Sequence, residues 1–485
     1  MRTIDHAACW SRRLFMAAGA SSFAAPAIAQ TVARKRPLAE MIADYAVSYD
    51  FSNAPAAVVE AARVAFIDTL GVMLAGSHEE VAHIAAEMAR DEQSAPLAGV
   101  VGRDFRASPQ LAALANGVAA HAMDYDFSYA SGQAVSAVIP ALLPLAEARG
   151  SSPRDVLAAF VVGCEVAARL VRASPQISAK GGWHATGMVG NIAAGVACAR
   201  LLKLPAAQIV DVVGIGASLA SGVSANFGTM TKPLHSGNAA RNGVTAAQLA
   251  ARGFTSSATA LEGGSGYYAT FSRGLPVDFS AFDDLGTVNN IVAPGYSLKR
   301  YPCGGLGHAA IDAALALREQ LGGRAGDIAK IEVGVTKNAF QRIGGAYPHS
   351  IESAKFSMPY LGAWTVLRGA PALATFTEKS IADPEVKAFS AKITHHVDAE
   401  FADDIAQAPG RVVVTMNNGE TFEKMVRFAS GSPQNPMSAA QIEAKFLDCA
   451  GRALDPARAK EAFAWASGVT TRSSFAGLWG ALKAG

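Results

Sequence analysis

From residue 36 to about residue 300, apolar residues recur at intervals of three and four, the spacing that lines one face of an α-helix. The run 55–74 (PAAVVEAARVAFIDTLGVML) is the clearest case, with Asn53 as its expected N-cap. Further helices are predicted at 80–92, 107–123, 135–149, 153–172, 187–203, 206–223, 236–252 and 256–262. Their apolar faces are rich in Ala and Gly, which lets helix axes approach closely and favours a tight bundle. Thr231, Lys232 and Pro233 followed by Ser236 mark a helix entry, so Lys232 is expected in the loop just before it.

The period changes near residue 295. Residues 328–336 alternate apolar and polar, as a half-buried strand does, and 411–416 and 421–428 repeat that pattern on either side of Asn417-Asn418-Gly419. An Asn-Gly pair can take positive φ at both turn positions, so these two runs read as a hairpin. Helices are predicted between them, at 306–320, 352–369 and 383–393, and the chain returns to helical spacing at 438–450 and 455–466. The expected fold is mainly α: a large all-helical domain (36–293, rejoined by 431–485) and a smaller inserted α+β lid domain (294–430).

The first 29 residues break from this pattern. Arg12 and Arg13, an apolar run 16–23 and the small-residue site Ala27-Ile28-Ala29 read as a twin-arginine export signal, which implies the twin-arginine machinery as a partner and a periplasmic location. Without Arg2, Arg12, Arg13 and Asp5, 39 Lys+Arg face 39 Asp+Glu, a balance that gives no argument for nucleic acid or an anionic membrane as partner. With 51% hydrophobic residues the chain can bury a large core, and no run after the signal reaches the length of a membrane span. Cys164, Cys198, Cys303 and Cys449 are far apart and form neither a zinc pattern nor a disulfide framework; Cys164 and Cys198 lie in apolar helical sequence and read as core.

Polar residues concentrate in short strings: HAMDYD (121–126), GWHATG (182–187), MTKPLHSGNAAR (230–241), LEG (261–263), KRYPC (299–303), HAAIDA (308–313), AKFSMPY (354–360) and NPMS (435–438). A His in a Gly-rich turn, with a Lys and a His at a helix entry, stands where chemistry is done more often than where cores are packed. In identity and order the strings resemble the MmgE/PrpD family, which holds 2-methylcitrate dehydratase, cis-aconitate decarboxylase and related isomerases. The resemblance spans nearly all of the chain after the signal. It implies a homodimer acting on a small polycarboxylate, with an active site between the two domains and neither metal nor organic cofactor.

The residues themselves support that chemistry. Proton removal next to a carboxylate needs a cation to stabilise the developing charge, and Lys232 and Lys299, with Arg300, are the candidates. His184 is the first choice for a general base or acid near neutral pH. Asp124 matches the family's aspartate and would orient or activate a partner. Ser128, standing where the family usually has Thr, would supply a hydroxyl. His235 is expected as a helix cap or supporting donor, His308 and Tyr360 as further substrate contacts, and His121 as a brace for the Asp124 loop. Each has a bland alternative: a lone His beside Trp183 is often a bonded core residue, and a lone Lys is usually solvated.

Besides Ser128, two places in the same region depart from the family. Gln133-Ala134-Val135 replaces its usual His-Pro-Ser, and Phe127 replaces an Asp. That His transfers a proton in decarboxylating members, whereas an amide neither gains nor loses one near pH 7 but still hydrogen-bonds a carboxylate. The departure argues against authentic cis-aconitate decarboxylase or 2-methylcitrate dehydratase activity. Three readings stay open: a lyase, an isomerase or epimerase that moves one α-proton of a dicarboxylate, and a non-catalytic carboxylate-binding protein.

Overall fold

The computed structural model describes residues 36–130, 132–402 and 408–482. The expected export signal, with Cys9, lies outside the described residues. The chain is mainly α, 55% helical.

The larger hydrophobic core is built almost wholly by helices from residues 38–298 together with the C-terminal helices Ala439–Ala450 and Pro456–Ser467. At its centre Pro109–His121 and Ala185–Leu201 both pack against Thr231–Ala250. Small residues make this possible. A Cβ added to Gly237 would lie 2.5 Å from the Leu114 carbonyl oxygen, and one added to Gly117 would lie 2.7 Å from Gly237 Cα, so only glycine fits this crossing. The direction of packing follows from the contacts. Gln110 bonds Gln248 and Gly117 touches Gly237, so Pro109–His121 runs antiparallel to Thr231–Ala250. Gly190 faces Ala239 and Asn191 bonds Asn242, so Ala185–Leu201 runs parallel to it.

Residues 301–416 enclose a second core around a four-stranded sheet. After the short pair β1 (Ala98–Gly99) and β2 (Arg106–Ala107), the strands are β3 (Ile328–Val335), β4 (Ile393–Val397), β5 (Gly410–Met416) and β6 (Thr421–Val426), in the order β4-β3-β5-β6. β4 is parallel to β3, while β5 pairs antiparallel with β3 and with β6. Alternate residues of β5 are buried, as the period-two pattern predicts, and Gly419 closes the hairpin at φ +85°. Both cores belong to one unit, Arg34–Gly485.

Several expectations are corrected. Residues 256–262 form turns instead of a helix, because hydroxyl and carboxylate groups take the backbone bonds: Ser256 N–H donates to Asp211, and Thr259 N–H to Ser257 Oγ. The helix predicted to reach 223 stops at Ser218. The single helix predicted over 352–369 is two, Ile351–Ala354 and Met358–Arg368, since Pro359 fits only a first turn and Ser357 caps the second piece. Pro55, not Asn53, is the residue that precedes the helix Ala56–Gly76. Helix Pro384–Ser390 gives way to β4, which periodicity missed because its pairing partner is more than fifty residues away. Lys232 lies within the first turn of Thr231–Ala250, not in a preceding loop; Pro233 is tolerated there because first-turn N–H groups have no helical acceptor.

Candidate active site

The packing directions above bring three helix ends to one level. His121 is the last residue of Pro109–His121, His184 immediately precedes Ala185–Leu201, and Lys232 and His235 lie in the first turns of Thr231–Ala250. His184 is set by a short ladder: its N–H donates to the Gly222 carbonyl at 2.8 Å, Trp183 bridges Val223, and Gly182 turns the chain at φ +81°. Gly222, at φ +108°, lies so close to His235 that an added Cβ would sit 3.1 Å from the imidazole Cγ. The two imidazoles meet, His184 Nδ1 to His235 Nδ1 at 2.9 Å, so one of these nitrogens carries the proton and the other accepts it.

Asp124 follows the first of these helices in a left-handed turn, φ +51°, a conformation that Asp tolerates better than most residues. Its carboxylate is shared by two ammonium groups. Lys232 Nζ donates to Oδ1 at 2.5 Å and Lys299 Nζ to Oδ2 at 2.7 Å, and Lys299 also donates to the Asp124 carbonyl at 2.6 Å. Lys299 is delivered by a backbone bridge in which Ser128 and Ser297 exchange N–H···O bonds of 2.8 and 2.9 Å. Burial pushes the Asp124 carboxyl up, but Lys232, Lys299 and His121 outweigh it and hold the group well below the usual carboxylate range.

Two of the histidines, His184 and His235, are biased toward the neutral form. His184 is held well below its ordinary value by burial first, then by the charges of His121, Lys232 and His235, against Asp124. His235 is lowered by burial, His121 and Lys232. His121 Nδ1 donates to the Asp126 carboxylate at 3.0 Å and the ring stacks on His184 at a separation of 5.4 Å. Phe227 joins the two halves of the cluster: its ring meets His184 edge-on at 4.9 Å and carries the Lys232 ammonium at 5.7 Å. Phe227, Val223, Met230 and Leu234 are all partly exposed, so the cluster lies under an apolar rim that reaches solvent.

The structure therefore brings together Asp124, Lys232, Lys299, His184 and His235. The other expected site residues stand differently. His308 is buried, bonds the Cys303 carbonyl at 3.3 Å, and is pushed down to about 3 by burial and by Lys299. Ser128 contributes its backbone to the Ser297 bridge. Gln133 is half-buried, and its carbonyl accepts from Thr186 Oγ1 at 2.9 Å, which ties its loop to the helix that His184 precedes. Arg300 is occupied with Asp312 at 3.8 Å and with the Tyr301 ring. Tyr360 is fully buried in the second core and its hydroxyl donates to the Thr375 carbonyl at 2.6 Å, a packing role where a substrate contact was expected. Phe127, where the family usually has Asp, is core: it packs on Phe160 and Tyr296.

Sequence matches over this framework decide the family. A sequence model of the MmgE/PrpD N-terminal domain matches residues 40–280, and one of the MmgE/PrpD C-terminal domain matches residues 301–467. The chain belongs to the MmgE/PrpD family. This MmgE/PrpD protein is 29% identical to a cis-aconitate decarboxylase of Homo sapiens over 413 residues, covering 82% of this chain and 84% of the human one. It is 25% identical to a cis-aconitate decarboxylase of Aspergillus terreus over 454 residues, covering 87% of this chain and 90% of the relative.

Three side chains at the site were not assigned a chemical role from sequence: Asp126, Phe227 and Lys355. Asp126 stands in the HAMDYD string, whose first residue it partners. His121, Asp124 and Asp126 have ligand atoms within 4.8 Å of one another, a spacing that would suit a metal ion. Their surroundings do not suit one, since both Asp124 oxygens already accept from ammonium groups whose charge would repel a cation.

Proposed function

We propose that this enzyme is a lyase acting on a small di- or tricarboxylic acid, with no metal or organic cofactor taking part. The observation that carries the proposal is the shared Asp124 carboxylate: two ammonium groups, one buried and one part-buried, divide one negative charge next to an imidazole kept neutral. A carboxylate entering here exchanges water for Lys232 and Lys299, and the N-termini of two parallel helices add to the attraction. His184, unprotonated, takes a proton from carbon next to that carboxylate. The electron pair left behind spreads onto the carboxylate oxygens, where the ammonium groups stabilise it. In a dehydration hydroxide then leaves from the adjacent carbon and departs with a proton as water; in a decarboxylation no carbon proton is removed first, a second carboxylate leaves as carbon dioxide, and the electron pair it leaves behind takes one proton from solvent through His184. Relatives named cis-aconitate decarboxylase support the lyase class.

Gln133 favours a second reading. An amide in that loop cannot protonate a leaving group, and an isomerase or epimerase that removes and returns one α-proton needs no such donor. Incubation of the protein with candidate acids in deuterated water separates the readings. Loss of 18 or 44 mass units from an acid supports the lyase; deuterium uptake without net conversion supports the isomerase. Binding with neither leaves a carboxylate-binding protein and refutes both. The reading extends to a homodimer exported by the twin-arginine machinery and working in the periplasm; cell fractionation of the Arg12→Lys/Arg13→Lys variant, expected to stay cytoplasmic, tests the export. Among the described residues no helix is long and apolar enough to cross a membrane.

A further inference from the structure

Lys355 is 6% exposed, and none of the ion pairs formed among the described residues includes its ammonium, which is not fully sealed from solvent. It stands in the break between Ile351–Ala354 and Met358–Arg368, where its carbonyl accepts the Gly304 N–H at 2.9 Å. The next residue, Phe356, carries the Lys232 ammonium over its ring at 5.7 Å. Lys355 is thus pinned beside the cluster, near enough for the charges of Asp124 and Lys232 to act on it. Burial lowers its proton affinity, opposed by Glu79, Asp124 and Glu352. None of those acids neutralises it: Glu79 pairs with Arg452 at 3.4 Å, Asp124 is divided between two lysines, and Glu352 is exposed.

A largely buried ammonium that meets no carboxylate is costly, and one that still reaches solvent beside a cluster of perturbed groups is placed to take a ligand's. Three buried or nearly buried lysines, 232, 299 and 355, stand around one carboxylate, which pairs with the first two, and the surplus positive charge corresponds to the charge of a dianion. We propose that Lys355 binds a second, remote carboxylate of the substrate, and so selects polycarboxylates over acids with a single carboxylate. The assignment rests on the polycarboxylate reading above. Lys232 and Lys299 hold the carboxylate next to the reacting carbon, and Lys355 fixes the far end of the molecule.

The test uses the unreactive probe propane-1,2,3-tricarboxylate, with binding followed by titration calorimetry and by the shift in melting temperature. Lys355→Met preserves bulk and removes only the charge. It is expected to weaken binding at least about tenfold, the loss of one charged hydrogen bond, while Lys355→Arg retains affinity. The unliganded Met variant should melt at or above the parent's temperature, since an unpaired buried charge is gone. Unchanged affinity in Lys355→Met, with the parent binding the probe, overturns the role of Lys355 alone. A parent that binds no di- or tricarboxylate overturns the polycarboxylate reading and this one together. A Met variant that melts well below the parent makes Lys355 a structural residue and also refutes the assignment; Lys355→Gln, measured alongside, guards against a packing defect peculiar to Met.

Discussion

Asp124→Asn removes one charge from the centre of the cluster without changing its shape. In the native protein the carboxylate accepts from Lys232 at 2.5 Å and from Lys299 at 2.7 Å, and both partners are largely shielded from water. At such distances each pair attracts by about 6 kcal/mol at an effective dielectric of about 20, much of it offset by the desolvation of all three groups. Breaking a buried pair by removing one partner costs about 3–5 kcal/mol, because the remaining charge is stranded. Here the variant has an escape. One lysine can shed its proton, at a cost near pH 7 of about 4.6 kcal/mol for a group that ordinarily titrates at about 10.4. That route caps the loss and makes it depend on pH. The unfolded variant keeps the lysine proton while the folded one has lost it, so the unfolded state binds more protons and stability rises with pH. The gap between variant and parent should therefore be about 4 kcal/mol at pH 7 and shrink by up to about 1.4 kcal/mol per pH unit toward pH 9. Urea unfolding followed by tryptophan fluorescence at pH 7, 8 and 9 measures it. Adding Lys299→Met to Asp124→Asn should restore part of the loss. A variant within about 1 kcal/mol of the parent at pH 7, or a gap that does not change with pH, would refute the account of the shared carboxylate.

Other outcomes follow from the same geometry. His184→Gln should abolish deuterium exchange into the substrate while leaving its binding within a few-fold, as read by mass spectrometry and calorimetry; full retention of exchange removes His184 from the reaction. Acid should destabilise the fold in two stages. Histidines 184, 235 and 308 have folded-state values below their unfolded ones, so stability falls as pH drops below about 6.5, by up to about 1.4 kcal/mol per pH unit for each group. The contribution of Asp124, whose carboxyl is lowered on folding, is complete above about pH 4 and is lost as pH falls further. His308→Gln should flatten the first stage in pH-dependent urea melts. Gly222→Ala demands a strained backbone and pushes a methyl onto His235, so activity should fall at least about tenfold with a stability loss of about 1–3 kcal/mol; unchanged activity would separate the His184–His235 contact from function. Gln133→His should raise conversion of cis-aconitate above the parent's, measured by product formation, and no gain would count against a proton-transfer role for that loop.

Much of this arrangement is legible in the sequence because several of the clustered groups sit at helix ends. His184 and Lys232 are each flagged locally, by a Gly-rich turn and by a Pro-marked helix start, and the resemblance supplied Asp124 and Lys299. What sequence could not supply was register. Lys232 reads as a loop residue but lies in a first turn, because Pro233 marks a first turn as readily as a boundary. Tyr360 reads from its string as a substrate contact, whereas in the fold its hydroxyl donates to a carbonyl fifteen residues on, inside the second core. Lys355 stands in the AKFSMPY string but takes no role from it, since a lysine between Ala354 and Phe356 reads as solvated; its burial is created by elements far away in sequence. β4 escaped for a like reason, as five residues become a strand only where β3 offers them a free edge.

The glycine crossings among the three central helices limit how this enzyme can be altered. With backbone on backbone at Gly117 and Gly237, no helix can slide or tilt without carrying its neighbours along, so a larger reaction chamber cannot be made by spreading the bundle. Altered substrate range, whether by natural drift or by directed evolution, should instead accumulate in the loops at 123–133, 222–230 and 299–305 and in the break around Lys355, above a scaffold that stays fixed.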